Sequence, residues 1–374
     1  MSFTDQIHQN KSHKDHHQDP CLHALIQTGG HTCTAVLNAA CDLNLFDIIA
    51  KGSPNNGGGL ITVSEIASQL PVPMSKVSTS KLDRVLRFLV SFSVLTCSAR
   101  SNEEDGSMEK LYGLSPTGKY FLKKQDGTPA WASLFPKLSY HPYMARVWLH
   151  CKEAVLDGGV DIFIKKLNGQ RMYEYVEKDV ELKNLFQRTM AEISALHMEK
   201  ILEVYKGFEG ISQLVDVAGG IGQSLMMIIS KYPSLHGVNF DLPRVVQDAP
   251  HFPGLTHVGG DMFKSVPEGE AIMIKGTTHN WSDEKCVLLF RNCREALKEG
   301  GKVIVIDLMM PQDPEMTMSA KYLSLLDSVM LLQGGGMERT EKEFEILCKR
   351  AGFSRFNLAC RALSNVLGVM EFYK

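Results

Sequence analysis

The 374-residue sequence lacks most of the patterns that mark specialised classes of protein. No apolar run approaches the roughly 20 residues that a membrane-spanning helix needs, and the polar N-terminus has no apolar signal-peptide segment. The formal net charge of -2 provides no basic excess for nucleic acid or an acidic membrane. The nine cysteines show no C-x-x-C spacing. We therefore expect a cytoplasmic protein with reduced thiols that binds neither nucleic acid nor membrane.

The first 20 residues are polar and rich in histidine, with His8, His13, His16 and His17 close together. A metal site is one interpretation of these histidines. No cysteine or carboxylate pattern completes such a site, however. The composition instead predicts a disordered tail over residues 1–20, and we expect no metal in this protein.

The length favours two domains, and the apolar pattern changes near residue 200. Residues 21–200 have mostly helical periodicity, as in the stripe formed by Leu82, Val85, Leu86 and Leu89. Helices followed by a strand, a polar turn, a second strand and a closing helix predict a winged-helix unit. Such a unit either binds DNA or builds a dimer and a substrate lid. The absence of a strongly basic segment favours the second role.

Residues 201–374 alternate between short apolar strands and helices, which predicts a parallel sheet covered on both faces. The first of these strands runs into the glycine-rich turn DVAGGIG at residues 216–222. Ligands of such sheets bind at the carboxyl ends of the strands. Glycines in the turn let a cofactor approach the backbone closely.

The identity of the cofactor depends on the ends of the later strands. Asp241 follows Gly222 by 19 residues, where an acid binds ribose hydroxyls. To this point NAD and S-adenosylmethionine fit equally well. Asp261 and Met262 suit the amino edge and the face of an adenine, and Lys275 ends the next strand. Since no second glycine-rich phosphate cradle follows, we favour S-adenosylmethionine, with S-adenosylhomocysteine as its product.

Several motifs occur in order over nearly the whole chain and resemble the plant small-molecule O-methyltransferases of the caffeic acid and chalcone type. They are LVDVAGGIG, NFDLP, HVGGDMF, HNWSDEKC, NCREALKEGGKVIVID and GGGMERTEKEFE. HNWSDEKC and the ending LGVMEFYK most resemble the enzymes that methylate a chalcone 2'-hydroxyl. The resemblance implies a homodimer that combines a Rossmann-like methyltransferase domain with an N-terminal winged-helix dimerisation domain. It also implies that the cofactor is held by Gly219, Gly220, Gly222, Asp241, Asp261, Met262 and Lys275.

The glycine turn departs from the family at Ala218, where the family has a third consecutive glycine. Alanine is tolerated there if its backbone φ is negative. If φ is positive, we expect roughly 1 kcal/mol or more of strain and weaker cofactor binding.

His279 is the candidate general base, because it follows the fourth strand at the ligand end of the sheet. A phenol with a pKa near 10 reacts best after losing its proton, and a neutral imidazole with a pKa near 6.5 suits this task. Holding only a loop backbone is the alternative role for this histidine. A base of this kind is oriented by a carboxylate, and Asp307 and Glu338 are the candidates. The family has Glu where this chain has Asp307, so we give Glu338 the main supporting role.

The acceptor pocket is less clearly marked. The resemblance places Met190, Met330, Tyr140, His141, Tyr143 and Phe186 around the acceptor, although both methionines also fit helix-core packing. Gly276 stands where many relatives have a bulky residue, which predicts a roomier pocket. Residues 27–32 fall in the segment that reaches the partner's pocket in the family.

Together these features predict methyl transfer from S-adenosylmethionine to a phenolic hydroxyl of a small plant metabolite, with a chalcone or isoflavonoid as the expected acceptor. Two alternatives stay open. One is an N-methyltransferase of the same fold, whose nitrogen nucleophile needs less deprotonation. The other is a non-catalytic or DNA-binding winged-helix protein.

Overall fold

A computed structural model describes residues 19–52, 59–101, 108–156, 161–247 and 249–374. The predicted tail lies outside the described residues up to position 18. Asp19 and Pro20, which we had included in that tail, instead cap and open the first helix. The chain divides into two compact units, the first ending at Tyr140 and the second starting at His141. This division comes earlier than the predicted boundary at residue 200.

The first unit consists of helices around a small antiparallel sheet. The sheet has the strand order β1-β3-β2, and the predicted stripe places Leu82, Leu86 and Leu89 in the core of this unit. The predicted closing helix is only the short turn Gly118–Phe121. The elements are α1 Pro20–Thr28, α2 Gly30–Asp42, α3 Leu45–Lys51, β1 Ile61–Thr62, α4 Val63–Ser68, α5 Thr79–Ser91, β2 Leu95–Ser101, β3 Met108–Leu114 and α6 Trp131–Ser139.

No single helix among the described residues is long and apolar enough to cross a membrane. The consecutive helices α2 and α3, bent by 59° at their junction, pass the same test only when they are taken together. Most of α3 is buried in the core of the first unit, as the core helix of a globular domain would be.

The second unit contains a large mixed sheet with the strand order β10-β11-β8-β7-β4-β5-β6, and β9 pairs with β8. Its helices are α7 Pro142–Val147, α8 Cys151–Leu156, α9 Met172–Val176, α10 Val180–Val204, α11 Gln223–Lys231, α12 Pro243–Val246, α13 Asp283–Ala296, α14 Met318–Leu331 and α15 Glu341–Arg350. Its strands are β4 Gln213–Val217, β5 His236–Asp241, β6 Leu255–Gly259, β7 Gly269–Lys275, β8 Leu297–Met310, β9 Arg339–Thr340, β10 Arg355–Ala362 and β11 Leu367–Tyr373.

Successive residues of the central strands alternate between two cores, one on each face of the sheet. Val215 and Val217 pack with α13 and α15, whereas Leu214 packs with α10 and α11. The predicted α/β class with helices on both faces is therefore confirmed. Because Met198, Ile201 and Leu202 of α10 belong to the second core, this helix groups with the second unit.

The predicted parallel sheet carries antiparallel strands at one edge. Strands β4 to β8 are parallel, but β11 runs antiparallel to β8 and to β10. Only four residues connect β10 to β11, and a connection that short joins antiparallel neighbours. Three of them, Leu363, Ser364 and Asn365, have positive φ.

A buried polar cluster fixes the end of α10 against this edge. Glu371 of β11 accepts hydrogen bonds from Lys302 Nζ at 2.6 Å, from the Tyr205 hydroxyl at 2.7 Å and from the Tyr373 hydroxyl at 2.7 Å. Burial opposes the charge on Glu371, but these donors outweigh it and hold its pKa at about 2. Tyr205 directly follows α10, so this cluster anchors the helix that carries Ser194 and Met190.

Candidate active site

Four parallel strands bring the predicted cofactor residues to one edge of the sheet in the second unit. The glycine turn follows β4, Asp241 ends β5, Asp261 follows β6 and Lys275 ends β7. The carboxyl ends of parallel strands meet at the same edge, which is where ligands of doubly wound sheets bind. The Gly220 N–H donates to Asp241 Oδ2 at 2.8 Å, so the turn and the acid are in direct contact.

The turn can only be built with glycine at Gly219. A Cβ there would lie 2.2 Å from Asn239 Oδ1 and 2.7 Å from Asp216 Oδ2. Gly220 and Gly222 have φ of 60° and 87°, a conformation that favours glycine. Gly222 also begins α11, whose first N–H groups point toward the turn. The turn therefore leaves its backbone open to a ligand, as a cofactor cradle requires.

Ala218 has a positive φ of 60°, one of the two alternatives that the sequence leaves open. A side chain in this left-handed region costs roughly 1–2 kcal/mol. The Ala218 N–H donates a hydrogen bond to the Phe240 carbonyl at 2.8 Å, which keeps the residue in this strained conformation. The alanine is therefore a strained residue within the turn.

A charged cluster lies beneath the turn. Asp216 is fully buried, and burial raises its pKa to about 7 although Lys275 opposes the shift. Among the described residues, its Oδ2 has no hydrogen-bond partner. Burial likewise lowers the pKa of Lys275 to about 8, and its Nζ donates to Ser194 Oγ at 2.6 Å. An unpaired buried carboxylate oxygen of this kind is suited to meet a ligand.

Asp261 and Met262 are adjacent but have different environments. Asp261 Oδ1 accepts from the Phe263 N–H at 3.0 Å, which fixes the carboxylate at the end of the strand. Met262 packs against the core beside α13, and its carbonyl accepts from Asn292 Nδ2 at 2.8 Å. The pair presents one acid and one apolar surface, the combination expected for an adenine.

His279 is held by Glu338 through its Nδ1. This nitrogen lies 2.9 Å from Glu338 Oε1 and 3.9 Å from Asp307 Oδ1. The imidazole is 21% exposed, whereas the two carboxylates are 1% exposed. With Nδ1 donating to Glu338, Nε2 is the ring nitrogen that can accept a proton from an acceptor.

Asp307 is committed mainly to the loop that carries His279. Its Oδ2 accepts from the Thr278 N–H at 3.2 Å and from the Thr278 hydroxyl at 2.5 Å. Its Oδ1 accepts from the Leu308 N–H at 3.2 Å. The shorter aspartate thus fixes the residue before His279 and acts on the imidazole only through its charge.

The pKa of His279 differs from the value near 6.5 that we expect for an ordinary imidazole. Burial lowers the pKa, but the hydrogen bond to Glu338 and the charges of Asp307 and Glu338 outweigh it and raise the value to about 9. Burial also raises the pKa of Glu338. At neutral pH His279 is therefore mostly protonated on both ring nitrogens, with its Nδ1–H donating to Glu338.

His279, Asp307 and Glu338 place three potential metal-ligand atoms within 4.8 Å of one another. Both oxygens of Asp307 already accept hydrogen bonds from the protein, and Nδ1 of His279 already contacts Glu338. These contacts satisfy the same lone pairs that a cation would need. The geometry therefore suits an oriented base better than a metal centre.

The predicted acceptor residues differ in their exposure and in their contacts. Met190 is exposed on α10, whereas Met330 is buried on α14 and its sulfur accepts from Gln333. Phe186 packs edge-on against Tyr173, with 5.8 Å between ring centroids. These three residues stay predictions as acceptor contacts.

The three aromatic residues of SYHPYM have structural partners within their own units. Tyr140, in the first unit, donates its hydroxyl to the His31 carbonyl at 2.6 Å. His141 caps α7 and lies 4.0 Å from Asp179. Tyr143 is buried and stacks on Tyr175 at 3.7 Å, so its ring faces the core.

The sequence analysis missed several residues at this site. His197 lies one turn beyond Ser194 on α10, and burial, Lys275 and His279 lower its pKa to about 3. Its Nε2 has no partner in the described part of the chain. Asn239 donates to the Gly220 carbonyl at 2.8 Å. Arg339 contacts the loop around His279. A helical periodicity could not distinguish His197 from an ordinary core position.

Comparison with known proteins identifies both units. Residues 27–124 match the O-methyltransferase dimerisation domain, and residues 148–354 match the O-methyltransferase domain. The chain is 45% identical over 342 residues to caffeic acid 3-O-methyltransferase of Clarkia breweri, covering 91% of this chain and 90% of that protein. It is 42% identical over 358 residues to the caffeic acid 3-O-methyltransferase of Catharanthus roseus, covering 96% of both proteins.

Among solved structures, human N-acetylserotonin methyltransferase in complex with SAM is similar over 96% of this chain and 99% of its own. The TM-score is 0.76 at 22% identity, which shows a shared fold. The winged-helix unit thus falls within a dimerisation domain of a family of enzymes, and the alternative of a non-catalytic DNA-binding protein is not supported.

Ala218→Gly should stabilise the protein. Relief of the left-handed strain gains roughly 1–2 kcal/mol, while the added freedom of glycine in the unfolded chain costs about 0.5–1 kcal/mol. The net gain, at most about 1.5 kcal/mol, should appear as a higher thermal unfolding midpoint. Ala191→Gly, at a helical position of α10, is the matched control and should lower the midpoint. Equal losses for both variants would contradict strain at Ala218.

Proposed function

The chain belongs to the O-methyltransferase family, and we propose that it transfers a methyl group from S-adenosylmethionine to a phenolic hydroxyl of a plant metabolite. The observation that carries this proposal is His279, which is oriented by a buried carboxylate at the ligand end of the sheet. Within that class, a chalcone or isoflavonoid is the proposed acceptor.

The residues at the strand ends fit S-adenosylmethionine. The glycine turn leaves room for close approach, and Asp241, which accepts the Gly220 N–H beside the turn, is the proposed partner of the ribose hydroxyls. Asp261 and Met262 would bind the adenine, and the unpaired oxygen of buried Asp216 faces the turn. When bound, S-adenosylmethionine supplies an electrophilic methyl group on a sulfonium.

His279 is the proposed general base. Nε2 takes the proton of the acceptor hydroxyl, while Glu338 keeps the ring oriented and stabilises the imidazolium that results. Asp307 fixes Thr278, the residue before His279. Glu338 therefore positions the ring, and Asp307 positions the loop that carries it. Because the pKa of His279 is raised to about 9, the neutral ring becomes more abundant as the pH rises toward that value.

The size of the proposed acceptor is supported by Gly276. This residue follows β7 just before the base-bearing loop, and a Cβ at this position would have no neighbour within 4 Å. Its φ of 57° also favours glycine. The space beside it suits an acceptor with two aromatic rings better than a tight single-ring pocket.

One observation favours N-methylation as a second candidate function. With a pKa raised to about 9, His279 is mostly protonated at neutral pH. An aryl amine or a ring nitrogen attacks without prior loss of a proton, so it would tolerate a charged histidine.

We also propose that the protein acts as a homodimer in the cytoplasm. Helix α1 has no buried residue in the single chain, and Leu22, Leu25 and Ile26 are exposed along it. A second copy would cover this apolar helix, most of which directly precedes the dimerisation domain matched over residues 27–124. The nine cysteines are all free, which supports a reducing compartment.

The proposed cofactor is tested by calorimetry. S-adenosylhomocysteine should bind and NAD should not. Asp241→Ala should weaken binding by about 1.5–3 kcal/mol, the usual loss for hydrogen bonds to a charged group. Glu268→Ala, at an acid without an assigned role on the same unit, is the control and should bind normally. Heat from NAD with none from S-adenosylhomocysteine would contradict the cofactor proposal.

The proposed base is tested by His279→Ala, assayed with caffeic acid, a 2'-hydroxychalcone and an aryl amine. Turnover of a phenol should fall roughly 100- to 10,000-fold, while affinity for S-adenosylhomocysteine stays near the wild-type value. Raising the pH toward the pKa of the phenol should restore part of the activity, because the acceptor then ionises unaided. Glu338→Gln should cost more activity than Asp307→Asn, because only Glu338 contacts the ring directly.

A His279→Ala enzyme with near-normal turnover would refute the base. If near-normal turnover were seen only with the aryl amine, N-methylation would replace O-methylation as the proposed function. The enzyme would then accelerate the reaction by holding the two reactants together, without a base.

A further inference from the structure

Three consecutive residues contact the loop that carries His279. The Met337 N–H donates to the His279 carbonyl at 2.9 Å, and Glu338 accepts from the imidazole at 2.9 Å. Arg339, the third, is the largest fully buried side chain among the described residues. We call residues 337–339 the clamp.

Arg339 binds the loop on both sides of His279. Its Nη1 donates to the Thr278 carbonyl at 2.9 Å, and its Nη2 donates to the Trp281 carbonyl at 2.7 Å. These two carbonyls flank the short turn Thr278–Asn280. Cys286 Sγ reaches the same carbonyls at 3.4 and 3.6 Å, but a thiol is a weak donor.

The charge of Arg339 is compensated by Asp283. Asp283 Oδ1 accepts from Nε at 3.1 Å and from Nη2 at 2.9 Å. Asp283 opens α13 directly after the loop. The planar guanidinium therefore joins β9, the loop and the start of α13 through four hydrogen bonds, a geometry that lysine cannot reproduce.

Asp283 is 44% exposed, so its ion pair with Arg339 is partly screened by solvent and contributes little to the stability of the fold. The contacts of Arg339 are instead directed at the backbone around one functional side chain. Glu338 sets the orientation of the ring, but it cannot fix the position of the Cα from which the ring projects. Two anchored carbonyls on either side of His279 do fix it.

We propose that Arg339 is a positioning residue that fixes the backbone of His279 so that Nε2 meets the acceptor hydroxyl. This inference rests on the proposed function. The positive charge of Arg339 also acts against the raised pKa of His279. Loss of the guanidinium should therefore disturb both the position of the base and the pH at which it works.

The experiment compares Arg339→Met and Arg339→Lys with the wild type on a phenolic acceptor. Misplacing the base by about 1 Å costs up to about 100-fold in rate, so kcat should fall 10- to 100-fold in Arg339→Met. Arg339→Lys should retain part of the kcat that Arg339→Met loses. Affinity for S-adenosylhomocysteine should stay within about twofold, which also shows that the variants fold. The pH midpoint of kcat should move upward in Arg339→Met, an effect that a purely structural role would not produce.

Arg350→Gln is the matched control. Arg350 lies 3.8 Å from the other oxygen of Asp283 but is 44% exposed and does not contact the loop. Its removal should leave kcat and the pH midpoint unchanged. Asp283→Asn provides a second route if the Arg339 variants do not fold, since Asp283 is itself 44% exposed. It should lower kcat several-fold and move the pH midpoint downward, because the charge of Arg339 is then uncompensated.

The inference is overturned if the wild type methylates a phenol and His279→Ala does not, while Arg339→Met, or Asp283→Asn in its place, keeps the wild-type kcat and pH midpoint. That result would leave the proposed function intact. A His279→Ala enzyme with normal turnover would instead overturn the proposed function, and this inference with it.

Discussion

The hydrogen bond between His279 Nδ1 and Glu338 Oε1 is the interaction on which the proposed chemistry depends. It selects the ring nitrogen that faces an acceptor and, together with the charges of Asp307 and Glu338, raises the pKa of the imidazole to about 9. Both effects follow from a carboxylate that is almost completely buried and therefore poorly screened. The surrounding structure keeps the two side chains together although 59 residues separate them in the sequence.

The backbone is under different physical constraints at the two ends of the site. At the glycine turn, the backbone must come close to a ligand, so Gly219 has no room for a Cβ and Ala218 is strained. At the base-bearing loop, the backbone must not move, so carbonyls and N–H groups are bound by Asp307 and by the clamp. The sheet connects the two ends, because both follow the carboxyl ends of its parallel strands.

The alternation of strands and helices, the capping box from Thr340 to Glu343 and the glycine turn could be predicted because each is a local pattern. The antiparallel edge was missed because residues 355–373 give no sign of direction until the strands pair. The raised pKa of His279 and the role of Arg339 could not be predicted either. Both depend on contacts between residues far apart in the sequence, and for His279 those contacts outweigh the effect of burial on its pKa.

The pH dependence of kcat/KM, measured for the wild type and for Glu338→Gln on the same phenolic acceptor, tests the central claim most directly. Ionisation of the acceptor is common to both enzymes, so a difference between the profiles belongs to the protein. Activity of the wild type should rise with pH through a midpoint near 9. In Glu338→Gln the midpoint should fall by at least about one pH unit, because burial then acts on His279 without its hydrogen bond to a carboxylate. Identical midpoints would show that Glu338 does not control the proton of His279.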